Sequence, residues 1–500
     1  MSVRNHKIEH NFISDRQEKP RDGIILLFRN SIYLVGSRWM TYAMRLVYIA
    51  ALAHFLGPER YGIYSYGIAW YLSFLPVANL GLGVILSREI SNRSGNGKDI
   101  VSQTFGLQIC IALLAFAICN ISAHVVEEDV AIKVVILVFS LSLIGRPFAW
   151  WVEQVYTAYE ANKYSFLLDS IFRPGEVVCG VFILLFGFGI LGVAGLHSAW
   201  WWAQGAFGIV MILRFVGKFK IIFNWKAVKK LVVQGIPIGL SFLFVNWFLQ
   251  GPIVLFRHFG SAGFELGQFA LVMQAFILLS SIPTAVCTAA LPGLSRSVTR
   301  RNGKEQDFLE NIMRSALIIG TIIGFSFMIM GPWIVELTFG SKYSMAGKFL
   351  GSGLWLLVLW SWGAALWRVL LARGRFFESA IAALSGSIVL TASFGTFLDK
   401  LGIYGAIAAS AMGMLVWIVL LIIFVKTSGG LIIRTSIIRA FVALCLSCVV
   451  FLILRKYDTN LASISAACAM IIGTIIFRAV STKELKLAVS LMTGRMRMKE

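Results

Sequence analysis

Charged residues are scarce in this chain of 500 residues, and acidic residues are the scarcest of them. Charged side chains make up 14% of the sequence and hydrophobic ones 58%, and the 24 Asp and Glu are outnumbered by 45 Lys and Arg. An average soluble domain carries about 25% charged residues. The composition therefore excludes an ordinary soluble protein and predicts an integral membrane protein.

Motifs typical of hydrolases and ATP-driven motors are also absent. The sequence has no P-loop, no HExxH and no GxSxG, and its six histidines are scattered. The cysteines fall within apolar stretches, where the CxxC of Cys445 and Cys448 is interpreted as packing residues and not as a redox or metal pair. We expect no enzyme activity, no cofactor and no metal site.

Long apolar runs are what the sequence has in abundance. About fourteen of them approach the roughly 20 residues that a helix needs to cross a bilayer. The runs are continuously apolar, which favours helices. The predicted spans are Ile32–Leu56, Tyr61–Leu86, Val101–Val125, Val130–Trp150, Tyr164–Gly187, Ile190–Phe215, Gly235–Phe256, Phe264–Leu294, Ile312–Leu337, Phe349–Leu371, Ala380–Phe397, Leu401–Phe424, Ile437–Leu454 and Leu461–Ile476.

The net charge of +21 is interpreted as a signature of membrane topology. Basic clusters recur at nearly every second connection between spans, among them Arg88 to Lys98, Arg296 to Arg314 and Arg368 to Arg375. Connections such as Val125–Asp129 are neutral or acidic, as the positive-inside rule requires. This distribution excludes a nucleic-acid partner as the reason for the charge. An even number of spans then places both termini in the cytoplasm.

The chain is predicted to consist of two six-helix lobes and two further helices. The lobes are residues 31–216 and 235–426, joined by a basic amphipathic linker at 217–234 that is expected to lie on the inner membrane surface. Residues 1–30 form a cytoplasmic arm. Residues 427–480 hold the two additional spans and 481–500 a basic cytoplasmic tail.

Spans two and eight look like equivalent parts of two repeats. Each begins at a glycine-rich external turn, GPERYG at 57–62 and GSAGFELG at 260–267. Each continues through a proline, Pro76 or Pro283, and ends in Leu-Ser-Arg. Parallel repeats of this kind are a known transporter plan, with the substrate site between the halves.

Two arginines lie in the first span, where a bilayer protein should carry none. Arg38 and Arg45 are seven residues apart and therefore project from one face of a helix. Facing lipid, each would cost several kcal/mol. Because the span contains no acidic residue, we expect them to face a cavity and to bind an anionic cargo.

The fifth span carries three charges, Asp169, Arg173 and Glu176. Their i,i+4 and i,i+3 spacing lets all three meet on one face. They are either a self-neutralised packing cluster or a coupling and gating site, in which Arg173 also serves the cationic cavity. Arg146, before Pro147, either reaches the headgroups or lines the same cavity.

Polar and aromatic residues offer candidate glycan contacts. Asn246 and Gln250 lie at i,i+4 in span seven, where interhelical hydrogen bonding is the alternative. Tryptophans of spans six and ten could stack on sugar faces, although packing and interface belts explain such residues equally well. The set is Trp200, Trp201, Trp202, Trp355, Trp360, Trp362 and Trp367.

Together with NLGLG at 79–83 and PGLSR at 292–296, these turns resemble the polysaccharide repeat-unit (Wzx-type) flippases. Their superfamily includes the multidrug and toxin extruders and the lipid II flippases. The resemblance implies a V-shaped, all-α, alternating-access transporter of the bacterial inner membrane. It implies an undecaprenyl-diphosphate-linked oligosaccharide as cargo, membrane lipids as surroundings, and polysaccharide polymerase and chain-length proteins as candidate partners.

Other functions remain open at this point. A lipid II flippase is the nearest alternative, because its cargo has the same diphosphate chemistry. A cation-coupled drug extruder would need acidic residues in its cavity, and span one supplies arginines instead. An integral glycosyltransferase or polymerase would normally have a long external loop with catalytic residues, and no external loop here is that long.

Overall fold

The computed structural model describes residues 20–83, 85–86, 97–159, 161–215, 225–260, 263–300, 304–429, 435–477 and 479. Within these ranges the chain is almost entirely α-helical. The helices are α1 (Pro20–Asn79), α2 (Gly97–Val126), α3 (Val130–Ser140), α4 (Ser142–Ala158), α5 (Asn162–Leu185), α6 (Gly189–Phe215), α7 (Trp225–Phe259), α8 (Phe264–Arg300), α9 (Lys304–Phe339), α10 (Ser344–Leu354), α11 (Leu356–Ala372), α12 (Phe376–Leu401), α13 (Ile403–Gly429), α14 (Thr435–Leu454) and α15 (Thr459–Ile476).

Helix α1 contains the first predicted span and most of the second, separated by a kink at Gly57. This glycine has φ 70° and ψ 171°, a conformation that residues with a Cβ rarely adopt. Pro58 follows it, so the backbone cannot continue the hydrogen-bond ladder there. The external turn predicted at 57–62 is therefore a sharp break between two helices.

The all-α polytopic fold predicted from the sequence is confirmed. Among the described residues, ten helical segments are long and apolar enough to cross a membrane, or eleven if the pair Ser341–Leu354 and Leu356–Ala372, bent by 40°, counts as one span. Helix α5 falls outside this group because Asp169, Arg173 and Glu176 interrupt its apolar sequence. The total of fourteen spans stays a prediction.

Two compact units make up the chain. The first comprises the described residues of Met1–Ala51 and Val77–Gly235, and the second those of Leu52–Pro76 and Ile236–Glu500. In the first unit α4 and α5 both pack on α6, and in the second α12 packs along α13, and α14 along α15. The segment Leu52–Pro76 thus packs with the second unit, whereas the sequence division placed it in the first lobe.

Close backbone packing explains why this segment belongs to the second unit. A Cβ added to Gly267 would lie 2.0 Å from the Pro58 carbonyl oxygen, and one added to Gly62 would lie 2.9 Å from the Gly267 nitrogen. The Tyr343 hydroxyl also donates to the Ala53 carbonyl at 3.1 Å. The two glycine-rich turns that suggested a repeat therefore lie directly against each other.

Replacing Gly267 with alanine is expected to destabilise the second unit. The added methyl group cannot be accommodated without moving the backbone of Pro58, and overpacking of this kind costs about 1–3 kcal/mol. Gly293→Ala in the same helix is the matched control, because a Cβ there meets nothing within 4 Å. Unfolding temperatures of the purified variants measure the difference, and equal values for both would contradict the packing argument.

Candidate functional site

The candidate site is built on α5, a helix with a proline and a glycine at its middle. Pro174 lies inside the helix and cannot donate a backbone hydrogen bond. Beside it, a Cβ on Gly175 would lie 2.5 Å from the Trp200 ring, so only glycine lets α6 approach this closely. The Trp200 indole donates to the Phe172 carbonyl at 2.6 Å and fixes the two helices together.

Arg173 is the centre of a buried ionic network. It is 7% exposed, and its Nη1 donates to Glu176 Oε2 at 2.9 Å. Its Nε lies 3.9 Å from Asp169 Oδ1. The three charges therefore meet on one face of α5, as their spacing predicts. Ser37 of α1 donates to the other Asp169 oxygen, Oδ2, which ties the first helix to the network.

Polar side chains of helix α6 form further hydrogen bonds with the charged groups of α5. His197 Nδ1 lies 2.7 Å from Glu176 Oε1, and both residues are buried. The Gln204 amide receives a hydrogen bond from Arg173 Nη2 and donates to Asp169 Oδ1 at 3.3 Å. Each carboxylate is thus held by two or more polar groups, as buried charges require.

Two arginines share one aromatic ring in this site. The guanidinium carbons of Arg146 and Arg173 lie 4.5 Å and 4.1 Å from the centroid of the Trp201 ring. A desolvated cation over an indole ring gains about 2 kcal/mol. Arg146 of α4 therefore lies next to the charges of α5, and α6 contributes the ring and the polar side chains between them.

The network is close to electrical balance, which limits the chemistry it can do. Arg146 and Arg173 offset Asp169 and Glu176, and His197 is the one member whose ordinary titration range includes physiological pH. A proton taken up by this imidazole would add a positive charge to the buried group. The arrangement is suited to holding α5 and α6 in register.

The structure brings together only some of the residues proposed for a cationic cavity. Arg146 and Arg173 lie in the network, together with Asp169 and Glu176. Arg45 is partly buried on α1, and the side chain of Arg38 lies outside the described residues. The cavity role of Arg38 and Arg45 stays a prediction.

Asn246 and Gln250 belong to the second unit. Asn246 Nδ2 donates to the Leu72 carbonyl at 2.9 Å. That carbonyl is four residues before Pro76, so the proline has removed its normal helical partner. Asn246 therefore satisfies the backbone at a kink. Gln250 is 5% exposed, and its Oε1 has no hydrogen-bond partner in the described structure.

Most of the tryptophans considered as sugar platforms hold neighbouring helices together. Their indole nitrogens donate to backbone carbonyls or hydroxyl groups on other segments, which is the packing alternative. The bonds run from Trp200 to Phe172, Trp202 to Leu141, Trp360 to Thr284, Trp362 to Met313, and Trp367 to Ser241 and Ser379.

His197 and Gln204 were missed by the sequence interpretation. The six histidines are scattered along the sequence, and the partner of His197 comes from another helix. One signal was available: His197, Trp201 and Gln204 follow each other at i, i+4 and i+7, which places them on one face of an apolar helix. A polar stripe opposite a charged span indicates that the two faces meet.

Comparison with known proteins gives the family. Residues 27–298, more than half of the chain, match the sequence model of a family described as polysaccharide biosynthesis protein. The chain belongs to this family. A protein of Escherichia coli (strain K12) named "Putative O-antigen transporter" is 21% identical over 326 residues, covering 64% of this chain and 77% of that protein. The lipid II flippase MurJ of Bacillus subtilis (strain 168) is 21% identical over 481 residues, covering 85% and 87%.

Solved structures share the fold of this family member. A lipid II flippase MurJ in an inward closed conformation superposes with a TM-score of 0.67 at 16% identity, over 92% of this chain and 99% of that one. An inward-facing multidrug resistance MATE family transporter of the MOP superfamily superposes with a TM-score of 0.60 at 16% identity, over 78% of this chain and 97% of that one. At these identities the likeness establishes the fold alone.

Proposed function

We propose that the protein flips undecaprenyl-diphosphate-linked oligosaccharide repeat units across the inner membrane for surface polysaccharide synthesis. The observation that carries this proposal is the match of residues 27–298 to a polysaccharide biosynthesis family, on a fold shared with a lipid-linked substrate flippase. Such a cargo has a lipid tail that can stay in the bilayer, a diphosphate that needs cations, and a polar glycan that needs a wet path. Arginine suits the diphosphate because its planar fork makes bidentate hydrogen bonds.

The state of the buried carboxylates argues against a drug extruder for cationic compounds. Both carboxylates of the α5 network are already engaged, Glu176 by Arg173 and His197, and Asp169 by Ser37 and Gln204. A cationic drug would have to displace a buried arginine to reach them. The network therefore offers no spare carboxylate to a cationic drug.

A cell that lacks this protein is expected to lose its surface polysaccharide and to accumulate lipid-linked repeat units on the cytoplasmic side. Supplying the gene in trans should restore export. The measurement is surface polysaccharide together with the level of lipid-linked intermediates. Normal export in the deletion strain, in the absence of a second copy of the gene, would overturn the proposal.

Lipid II is the second candidate cargo, favoured by the coverage of 85% of this chain in the alignment with MurJ. The two cargoes share the diphosphate and differ in the glycan. Expression of this protein in cells depleted of their own lipid II flippase separates them. Restored growth would support the lipid II function, and restored polysaccharide export without restored growth would support the repeat-unit function.

Both termini are proposed to face the cytoplasm, with the connection between α2 and α3 outside. Glu127, Glu128 and Asp129 make this connection acidic, whereas the sequence after residue 477 is strongly basic. Reporter fusions after residue 128 and at the C-terminus should therefore report opposite sides of the membrane. Reporters on the same side would contradict the topology.

A further inference from the structure

A buried arginine without a carboxylate partner lies in the second unit. Arg368 of α11 is 7% exposed. Its Nη2 donates to the Thr288 hydroxyl of α8 at 3.0 Å, and its guanidinium carbon lies 4.2 Å from the Trp367 ring centroid. Its other two nitrogens, Nε and Nη1, have no hydrogen-bond partner in the described structure.

The described partners of Arg368, Thr288 and Trp367, are neutral side chains. The Trp367 indole donates to the Ser241 and Ser379 hydroxyls at 2.8 and 2.9 Å, which holds the ring beneath the guanidinium. On the other side Cys287 and Thr288 belong to α8, and Thr288 is exposed. The guanidinium thus lies directly behind an exposed residue of α8, Thr288.

Other buried arginines show what a structural role looks like in this protein. Arg373, five residues further along, is paired with Glu305 at 2.7 Å and donates to the Val425 carbonyl at 2.6 Å. Arg173 pairs with Glu176 at 2.9 Å. A buried cation with idle donors is costly unless something completes it. Among the described residues, Arg368 lacks the carboxylate partner that Arg373 and Arg173 each have.

The sequence interpretation had grouped Arg368 with the cytoplasmic basic cluster that runs to Arg375. The structure separates the two ends of this cluster. Arg375 is exposed and forms an ion pair with Glu378 at 2.7 Å, as a solvated charge does. Arg368 instead points into the packing between α8 and α11.

We propose that Arg368 and Thr288 form a binding site for the phosphate group of a membrane lipid in the second unit. The two guanidinium nitrogens that have no partner in the described structure can donate hydrogen bonds to phosphate oxygens, and the Thr288 hydroxyl adds a neutral contact. The phosphate group can come from either of two lipids. One is the lipid-linked cargo with its diphosphate, and for this source the proposal rests on the proposed function. The other source is the headgroup of an anionic phospholipid, which presents the same chemistry.

The site is tested by lipid binding to the purified full-length protein, measured as the ligand-induced rise in unfolding temperature and by titration. The probes are undecaprenyl diphosphate in neutral-lipid nanodiscs and, separately, nanodiscs containing phosphatidylglycerol. Arg368→Gln is expected to weaken binding of the recognised probe at least about tenfold, because the charge-assisted hydrogen bond is lost. Arg368→Lys should weaken binding less, because lysine keeps the charge and part of this hydrogen bonding. Arg375→Gln is the control and should bind like the unmodified protein.

A second measurement separates binding from folding. Without ligand, Arg368→Gln should lower the unfolding temperature less than Arg373→Gln, because the first loses a hydrogen bond and a ring contact and the second loses an ion pair. Arg368-dependent binding of undecaprenyl diphosphate supports the cargo source, and Arg368-dependent binding of phosphatidylglycerol alone supports the phospholipid source. Unchanged binding of both probes in Arg368→Gln overturns the site, and a loss of unfolding temperature as large as that of Arg373→Gln does so as well. Neither result bears on polysaccharide export by the unmodified protein, which tests the proposed function separately.

Discussion

Replacing Arg173 with alanine is expected to remove most of the folded protein from the membrane. The substitution leaves Asp169 and Glu176 buried without the cation between them, and breaking a buried pair in this way costs roughly 3–5 kcal/mol. That is a large part of the roughly 5–15 kcal/mol by which proteins are usually stable. The measurement is the amount of monodisperse protein extracted from membranes, by gel-filtration fluorescence of a tagged chain. Arg375→Ala, which breaks an exposed pair, should change little.

A version of α5 without its three charges should be tolerated better than the single change. The triple variant Asp169→Asn, Arg173→Met, Glu176→Gln keeps side-chain volume and leaves no carboxylate on α5 without its cation, while Arg146 stays over the Trp201 ring. The amide groups that replace the two carboxylates could still bond to the hydroxyl and amide groups around them. If the triple variant folds well but does not export polysaccharide, the network takes part in transport. If it is as poorly folded as Arg173→Ala, unpaired charge is not the reason for the damage.

The charged face of α5 could be predicted because it depends on one helix only. The separations of Asp169, Arg173 and Glu176 are fixed by the geometry of a single turn or so, and the observed distances of 2.9 and 3.9 Å follow from it. The apolar lengths of the spans are equally local. Helix positions and this one cluster were therefore accessible from the sequence.

Contacts between helices were not accessible in the same way. The bond between His197 and Glu176 depends on how α6 is rotated against α5, and a single sequence does not fix that rotation. The packing of Gly267 against Pro58 joins segments about two hundred residues apart, although the matching turn sequences gave a hint of it. Arg368 was misjudged because charge near a span end is usually solvated, and only packing reveals that its donors are buried and idle.

Arg38 and Arg45 carry the prediction that bears most directly on the cargo. Both belong to α1, and their separation of two helical turns puts them on one face of it. If they bind the diphosphate, the double alanine variant should lose surface polysaccharide by about two orders of magnitude, since each charge-assisted hydrogen bond contributes about 1.5–3 kcal/mol. Protein abundance should remain near that of the unmodified chain. The measurement is export normalised to the amount of protein in the membrane, with the exposed Arg455→Ala as control.

The lysine variants decide between a binding role and a structural role for these arginines. Lysine keeps the charge but replaces the planar fork by a single point of contact, so a diphosphate site should recover only part of its activity. A structural role predicts instead that alanine lowers membrane abundance and that lysine restores abundance and export together. Full export by the double alanine variant would show that the cargo does not depend on these cations. The preference for a diphosphate-linked substrate would then rest on the family match and on Arg368.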